Sequence, residues 1–312
     1  MTFDFRRLSS YPNLRNVVTE VLRSWPEHAG YCEARFRDDP PEFMERSEDL
    51  ARLAVQLVGA ELPQWCADYR WMCERFLDEE IYFRREDQYR LNSFEEAYRE
   101  VYSDASYMSR YIHGILVSQL IWTPHARAFD FFRTDFLTRL PNGARHLEVG
   151  PGHGFFLYYA SQHPAISSIE GWDVSESSIA ATQKAISTFG VDPSRITLRL
   201  QDVLKAAPHP VFFDSVIISE VLEHLEQPGR ALTTLNQALK PGGLIFVNFP
   251  INSPAPDHIF LMRSPREVEE LVEAAGFEVV DRRLLPVTGN NIERALRKNL
   301  SVSCVLIGRK IA

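Results

Sequence analysis

A chain of 312 residues, 45% hydrophobic and 24% charged, has the composition of an ordinary water-soluble protein and the length for one large domain or two smaller ones. No run approaches the ~20 apolar residues that cross a bilayer, and the opening MTFDFRRLSS lacks a secretory signal's apolar core, so a cytoplasmic protein with no membrane partner is expected. The formal net charge of −8 argues against nucleic acid as a partner, because duplex binding relies on Lys and Arg displacing counterions from phosphates.

Residues 1 to about 140 read as helices. Leu14, Val17, Val18, Val21, Leu22 and Trp25 fall at three- and four-residue steps, the stripe of an amphipathic helix. Trp65, Cys66, Tyr69, Met72, Cys73, Phe76 and Leu77 repeat that pattern, as do Phe129, Phe132, Phe136, Leu137 and Leu140. Pro40 and Pro41 separate early helices. Cys32, Cys66, Cys73 and Cys304 form neither a metal spacing nor a disulfide framework and read as reduced thiols. The mixed charge runs 83–87 and 293–298 read as solvated faces.

The pattern changes at Pro141-Asn142-Gly143, a turn signal. Short β-type runs follow at 144–150, 168–174, 196–202, 213–220, 243–250, 277–286 and 301–309. Helical patterns at 155–163, 176–188, 228–239 and 265–275 separate most of them. This alternation predicts an α/β fold whose mostly parallel sheet is covered on both faces. The expected organisation is an N-terminal helical segment over 1–124, acting as lid and substrate-binding element, and an α/β domain over 125–312.

The sharpest segment is His146-Leu147-Glu148-Val149-Gly150-Pro151-Gly152-His153-Gly154, an apolar strand running into three glycines at alternate positions. Glycines let a backbone pass close to a ligand where a Cβ would collide, and such crevices lie at the carboxyl ends of strands. The second strand ends at Asp173, placed to accept ribose hydroxyls. The third ends in Gln201-Asp202-Val203, able to receive an adenine amino group. The fourth runs through Ser219-Glu220 into a helix-forming segment, and Lys240-Pro241-Gly242-Gly243 opens the fifth.

In this order the segments resemble the class I S-adenosylmethionine-dependent methyltransferase family over about 125 to 312. The resemblance implies a doubly wound, seven-stranded, mostly parallel sheet with its last strand antiparallel, and S-adenosylmethionine as cofactor. It implies that Glu148 holds the methionine amino group, that Gly150, Gly152 and Gly154 line the methionine and ribose, and that Asp173 binds the ribose. Asp202 and Val203 would meet the adenine, and Glu220 would complete the cofactor site. A nicotinamide-binding turn would need glycine at its first, third and sixth positions, and the sixth from Gly150 is Phe155.

A sulfonium methyl group is already activated, so catalysis by in-line displacement needs chiefly positioning. A base is required only where the acceptor arrives protonated. Glu220, Glu223 and His224 are the candidates, expected on one side of a helical turn. With His258 they can form a divalent-metal set. Similar acid-acid-histidine runs occur in ubiquinone-pathway O-methyltransferases and small-RNA 3′-end methyltransferases. Variants of Leu-Glu-His are also widespread in methyltransferases that use no metal, the preferred reading here.

Between Tyr69 and Trp122 the chain is dense in aromatic residues, which read mainly as bundle core. Residues from about 80 to 125 are expected to cover the sulfonium and select a small-molecule acceptor, as in specialised metabolism. The alternatives are an RNA or protein methyltransferase, and a non-catalytic cofactor-binding scaffold. A homo-oligomer is compatible with the sequence.

Overall fold

Helices carry the first third of the chain, several of them with proline in the first turn. The computed structural model describes residues 2–205 and 212–311. α1 (Pro12–Ser24) begins on proline, which has no N–H to leave unpaired at that position. Its first amides are capped from elsewhere: Glu48 accepts from Asn13 N at 2.8 Å and Leu14 N at 2.9 Å. α1 buries Leu14, Val17, Val18 and Val21 completely, as their spacing predicts. There follow α2 (Ala29–Phe36), α3 (Pro41–Val58), α4 (Leu62–Glu86), α5 (Phe94–Ala97), α6 (Ala105–Ile121) and α7 (Thr123–Phe131). The α4 stripe differs from expectation at one end. Leu77 is 58% exposed, because the packed face runs through Met72 and Phe83 and Leu77 stands farther round the helix.

Two compact units emerge from this path. The first is Met1–Asp130 with Asn252–Leu261 and Leu285–Val302; the second is Phe131–Ile251 with Met262–Leu284 and Ser303–Ala312. Two later segments of the α/β half therefore group with the helices. Within the first unit, Arg84 donates to Lys298 O at 2.7 Å and Asn299 O at 3.0 Å. The two charged runs, expected to be simply solvated, are thus joined by a guanidinium stapling α4 to the later segment. No described helix is long and apolar enough to cross a membrane.

The second unit is a seven-stranded sheet of β1 (Ala144–Val149), β2 (Ile166–Asp173), β3 (Ile196–Leu200), β4 (Phe213–Ser219), β5 (Leu239–Ile251), β6 (Phe277–Pro286) and β7 (Val302–Lys310). Their order is β3-β2-β1-β4-β5-β7-β6. β1 to β5 pair in parallel. β7 lies between β5 and β6, and hydrogen bonds joining Val287 to Ser301 and Ile311 to Gly276 run in opposite sequence directions, so β6 and β7 are antiparallel. Helices α8 (Phe155–Gln162), α9 (Glu176–Thr188), α10 (Pro228–Ala238) and α11 (Pro265–Ala274) connect the strands.

Burial on both faces explains the unbroken apolar runs of the central strands. Val216, Ile217 and Ile218 of β4 and Ile245, Phe246 and Val247 of β5 are at most 1% exposed. Each such side chain contributes about 1.5–3 kcal/mol on burial. A π-helical turn at Phe132–Phe136 delivers two rings to this core, both 5.5 Å from Phe246. Parallel register then aligns the carboxyl ends: Val149 stands opposite Trp172 and Ile218, and Ser219 opposite Asn248.

Candidate active site

The turn beyond β1 is shaped by the backbone. Gly150 N continues the ladder to Trp172 O at 2.8 Å, yet Gly150 has φ +70°. A Cβ there would stand 2.6 Å from Val221 Cγ2, so packing as well as conformation demands glycine. Gly152 (φ +48°) differs. The nearest atom to a Cβ there is Gly150 O at 4.0 Å, so this glycine faces open space. Its carbonyl is held by Thr182 Oγ1 at 2.8 Å. Gly154 opens α8, where a Cβ would meet only ordinary contacts at 3.6 Å.

Glu148, the penultimate residue of β1, is 2% exposed. Its Oε2 has no hydrogen-bond partner among the described residues, and burial pushes its carboxyl well above the ordinary carboxylate range. A buried carboxylate without a partner is costly. It is also a ready seat for a cationic donor. Asp173 ends β2, with Oδ1 accepting from Ser175 N at 2.9 Å and Oδ2 from Ser178 Oγ at 2.6 Å. Desolvation still raises its carboxyl, over the opposing effect of these bonds. Each oxygen retains acceptor capacity for a diol. Asp202 accepts from Leu204 N at 2.8 Å and pairs with Lys205 at 3.2 Å, while Val203 is buried.

Beyond β4 the structure departs from the expected helical turn. Glu220 has φ +53°, a left-handed conformation that interrupts any helix, and only a short 3-10 turn follows at Leu222–His224. The reversal brings Val221 against Gly150. Glu220 and Glu223 are neighbouring carboxyls with Asn248 beside Glu220, and burial pushes the Glu220 carboxyl up to about 8. Two neighbouring carboxyls in a dry setting resist simultaneous ionisation. His224 Nε2 lies 3.8 Å from Glu223 Oε1. The three residues are therefore neighbours, but not as a helical i, i+3, i+4 face.

His258 belongs to the first unit and is described with it. Its Nδ1 donates to Ser253 O at 2.7 Å, and Ser253 N donates to Tyr89 OH at 3.0 Å. Beside it, Tyr111 OH donates to Asp257 Oδ1 at 2.7 Å and Tyr102 OH to Oδ2 at 3.1 Å. These tyrosines fall in the aromatic-rich stretch read from the sequence, whereas Val221, Asn248 and Thr182 were not singled out there. Asn248, an amide within the apolar run 244–251 of β5, was the one visible signal.

A family model described as a methyltransferase domain matches residues 125–282, just over half of the chain. The chain belongs to this family. It is an S-adenosylmethionine-dependent methyltransferase of class I, and its seven strands and antiparallel last strand are those the resemblance implied. This methyltransferase is similar to a ubiquinone biosynthesis O-methyltransferase of Rhizobium johnstonii, 26% identical over 201 residues, covering 58% of this chain and 79% of the relative. A protein of the same description from Xylella fastidiosa is 28% identical over 134 residues, 41% of this chain and 53% of the relative. A solved structure of a phosphoethanolamine N-methyltransferase 2 from Haemonchus contortus superposes with a TM-score of 0.54 at 14% identity, covering 71% of this chain and 61% of that one. At that identity the likeness speaks for the fold alone.

Proposed function

We propose that this methyltransferase O-methylates a small-molecule hydroxyl acceptor at the carboxyl edge of β1, β2 and β4. The observation that carries the cofactor assignment is the orphaned, buried carboxylate of Glu148 two residues ahead of a glycine turn that opens on empty space at Gly152. S-adenosylmethionine supplies an electrophilic sulfonium methyl group and an ammonium. In this reading Glu148 receives the ammonium, Gly150, Gly152 and Gly154 admit the methionine and ribose, Asp173 takes the ribose hydroxyls, and Asp202 with Val203 meets the adenine. Glu220 borders the methionine end. The curated relatives named as O-methyltransferases support oxygen as the acceptor atom.

A hydroxyl arrives protonated, and the Glu220–Glu223 pair can take up its proton as the O–CH3 bond forms. His224, beside Glu223, would orient that pair. Glu223 and His224 are also a ligand pair for a divalent ion, so turnover is to be compared with and without a chelator. Incubation with methyl-labelled S-adenosylmethionine and a panel of hydroxylated small molecules should yield a labelled ether and S-adenosylhomocysteine in equal amounts. Cofactor binding without any release would favour a scaffold, and label on RNA or protein alone would favour those acceptors.

A further inference from the structure

We infer that His146 is a positioning residue for the cofactor: its Nε2–H orients the Glu148 carboxylate that receives the ammonium. The pairing stands on the geometry of β1 and its neighbours; only its use by the cofactor rests on the reading above.

The two residues occupy alternate positions on β1, so both side chains project from one face of the sheet. About 6.6 Å of strand separates their Cα atoms, a gap closed by a hydrogen bond between two long side chains or by one bridging water. Both are buried, and each carries one polar atom with no hydrogen-bond partner among the described residues: Nε2 of His146 and Oε2 of Glu148. Their surroundings offer little else. His146 stands opposite Ile169 and Ser215, and Glu148 opposite Gly171 and Ile217. The rings of Phe132 and Phe136 lie beside the imidazole. Ser215 is already engaged with Nδ1 at 2.8 Å.

That contact fixes the tautomer. Ser215 is completely buried, and Nδ1 is the acceptor within reach of its hydroxyl hydrogen. With the donation reversed, a hydroxyl proton would be buried without an acceptor, which is costly. Nδ1 therefore accepts, and the imidazole proton sits on Nε2. Burial holds the ring down to about 3, so it stays neutral and offers one N–H. A buried donor and a buried acceptor, both without partners, thus share one face of one strand.

Glu148 needs such a donor when the cofactor arrives. Burial drives its carboxyl toward the neutral form, whereas an ammonium calls for the ionised one. A hydrogen bond to the carboxylate favours ionisation. His146 precedes Glu148 on β1, so it pulls on the carboxylate from the side away from the strand tip. An ionised carboxylate accepts at about four sites, which leaves the side toward the glycine turn for the ammonium.

Calorimetric titration of the full chain with S-adenosylhomocysteine and with 5′-methylthioadenosine tests this, because the second nucleoside lacks the ammonium. His146→Phe keeps a ring and removes the donor. It should weaken S-adenosylhomocysteine by about tenfold or more and leave 5′-methylthioadenosine unchanged. His146→Gln returns an N–H and should recover most of the loss. In a Glu148→Gln background, His146→Phe should cost little further affinity. Imidazole nitrogen chemical shifts of the parent, with His146 assigned by its disappearance in the variant, should place the proton on Nε2. A proton on Nδ1, equal weakening of both nucleosides, weakening of neither, or a His146→Gln chain as weak as His146→Phe overturns the inference. A Glu148→Gln chain that binds S-adenosylhomocysteine as tightly as the parent, with the proton on Nε2, would instead overturn the cofactor reading and spare the pairing.

Discussion

The two units carry their chemistry by different physical means. In the α/β unit the site is a property of the main chain: strand register lines up the tips, and left-handed residues at 150, 152 and 220 turn the chain sharply beyond β1 and β4. In the helical unit the polar features are carried by side chains, with tyrosine hydroxyls and a guanidinium reaching from helices to distant segments. A main-chain site tolerates little change of backbone conformation, and each of its glycines answers a different demand. A side-chain site tolerates conservative change and fails by degrees.

The sharpest way to break that contrast is at the glycines. Gly150→Ala combines a left-handed alanine, ~1–2 kcal/mol, with overpacking against Val221, ~1–3 kcal/mol. Thermal stability should fall, and S-adenosylmethionine affinity should drop by roughly a hundredfold or more. Adding Val221→Ala should restore the packing part and not the conformational part. Gly152→Ala meets open space, so its loss of stability should be the conformational part only, while its affinity falls comparably. If Gly150→Ala melts and binds like the parent, the main-chain account of this site is wrong.

Next in size is Glu148→Gln, which keeps the shape and removes the charge. Loss of a charge-assisted bond should lower S-adenosylmethionine affinity by about ten- to a hundredfold. Stability should move the other way. A carboxyl whose folded pKa is raised loses stability as pH climbs above its unfolded value, so the variant should melt at a higher temperature than the parent above pH 4.5. Thermal melts across pH together with titration of the cofactor check both halves. A variant that is less stable yet binds normally would mean Glu148 serves the fold and not the ligand.

Legibility in the sequence followed the same division. The central strands were visible because double-sided burial writes continuous runs such as Val216-Ile217-Ile218, and the more exposed β3 and β6 because apolar runs there still alternate with helical patterns. The glycine turn and the acids at 148, 173 and 202 were visible because a strand tip has a fixed place in sequence. Glu220 was misread because its spacing to Glu223 and His224 mimics a helix, and only the contact of Val221 with Gly150 reveals that the chain reverses there. The Asp257 bonds to Tyr102 and Tyr111 span separations of 155 and 146 residues, which no local pattern encodes. Nor could periodicity tell that Asn252–Leu261 groups with the helices rather than with the strand it follows.

The smallest expected effect separates the units by acid. His28 and His125 in the helical unit are held down to about 4 by burial, His125 also by His258, and His146 in the sheet is held down to about 3. His146 is fully buried, with Nδ1 2.8 Å from Ser215 Oγ. Such imidazoles stay neutral in the folded chain and gain a proton when it unfolds. The unfolded state therefore binds more protons below pH ~6.5, and stability is lost as pH falls through the window between the unfolded and folded values. Each imidazole should withdraw about 1.4 kcal/mol by pH 5.5, one unit below its unfolded value. His146→Gln should remove that share of the acid dependence from the sheet, and His28→Gln or His125→Gln from the helices. Chemical denaturation at pH 7.5 and 5.5 compares the three variants with the parent. The raised carboxyls of Glu148 and Glu220 act in the opposite sense and equally in parent and variants, so the readout is the difference between them: an acid dependence identical in the parent and all three variants would show that these rings are already hydrated or charged in the fold, and the dry interior assigned to both units would have to be given up.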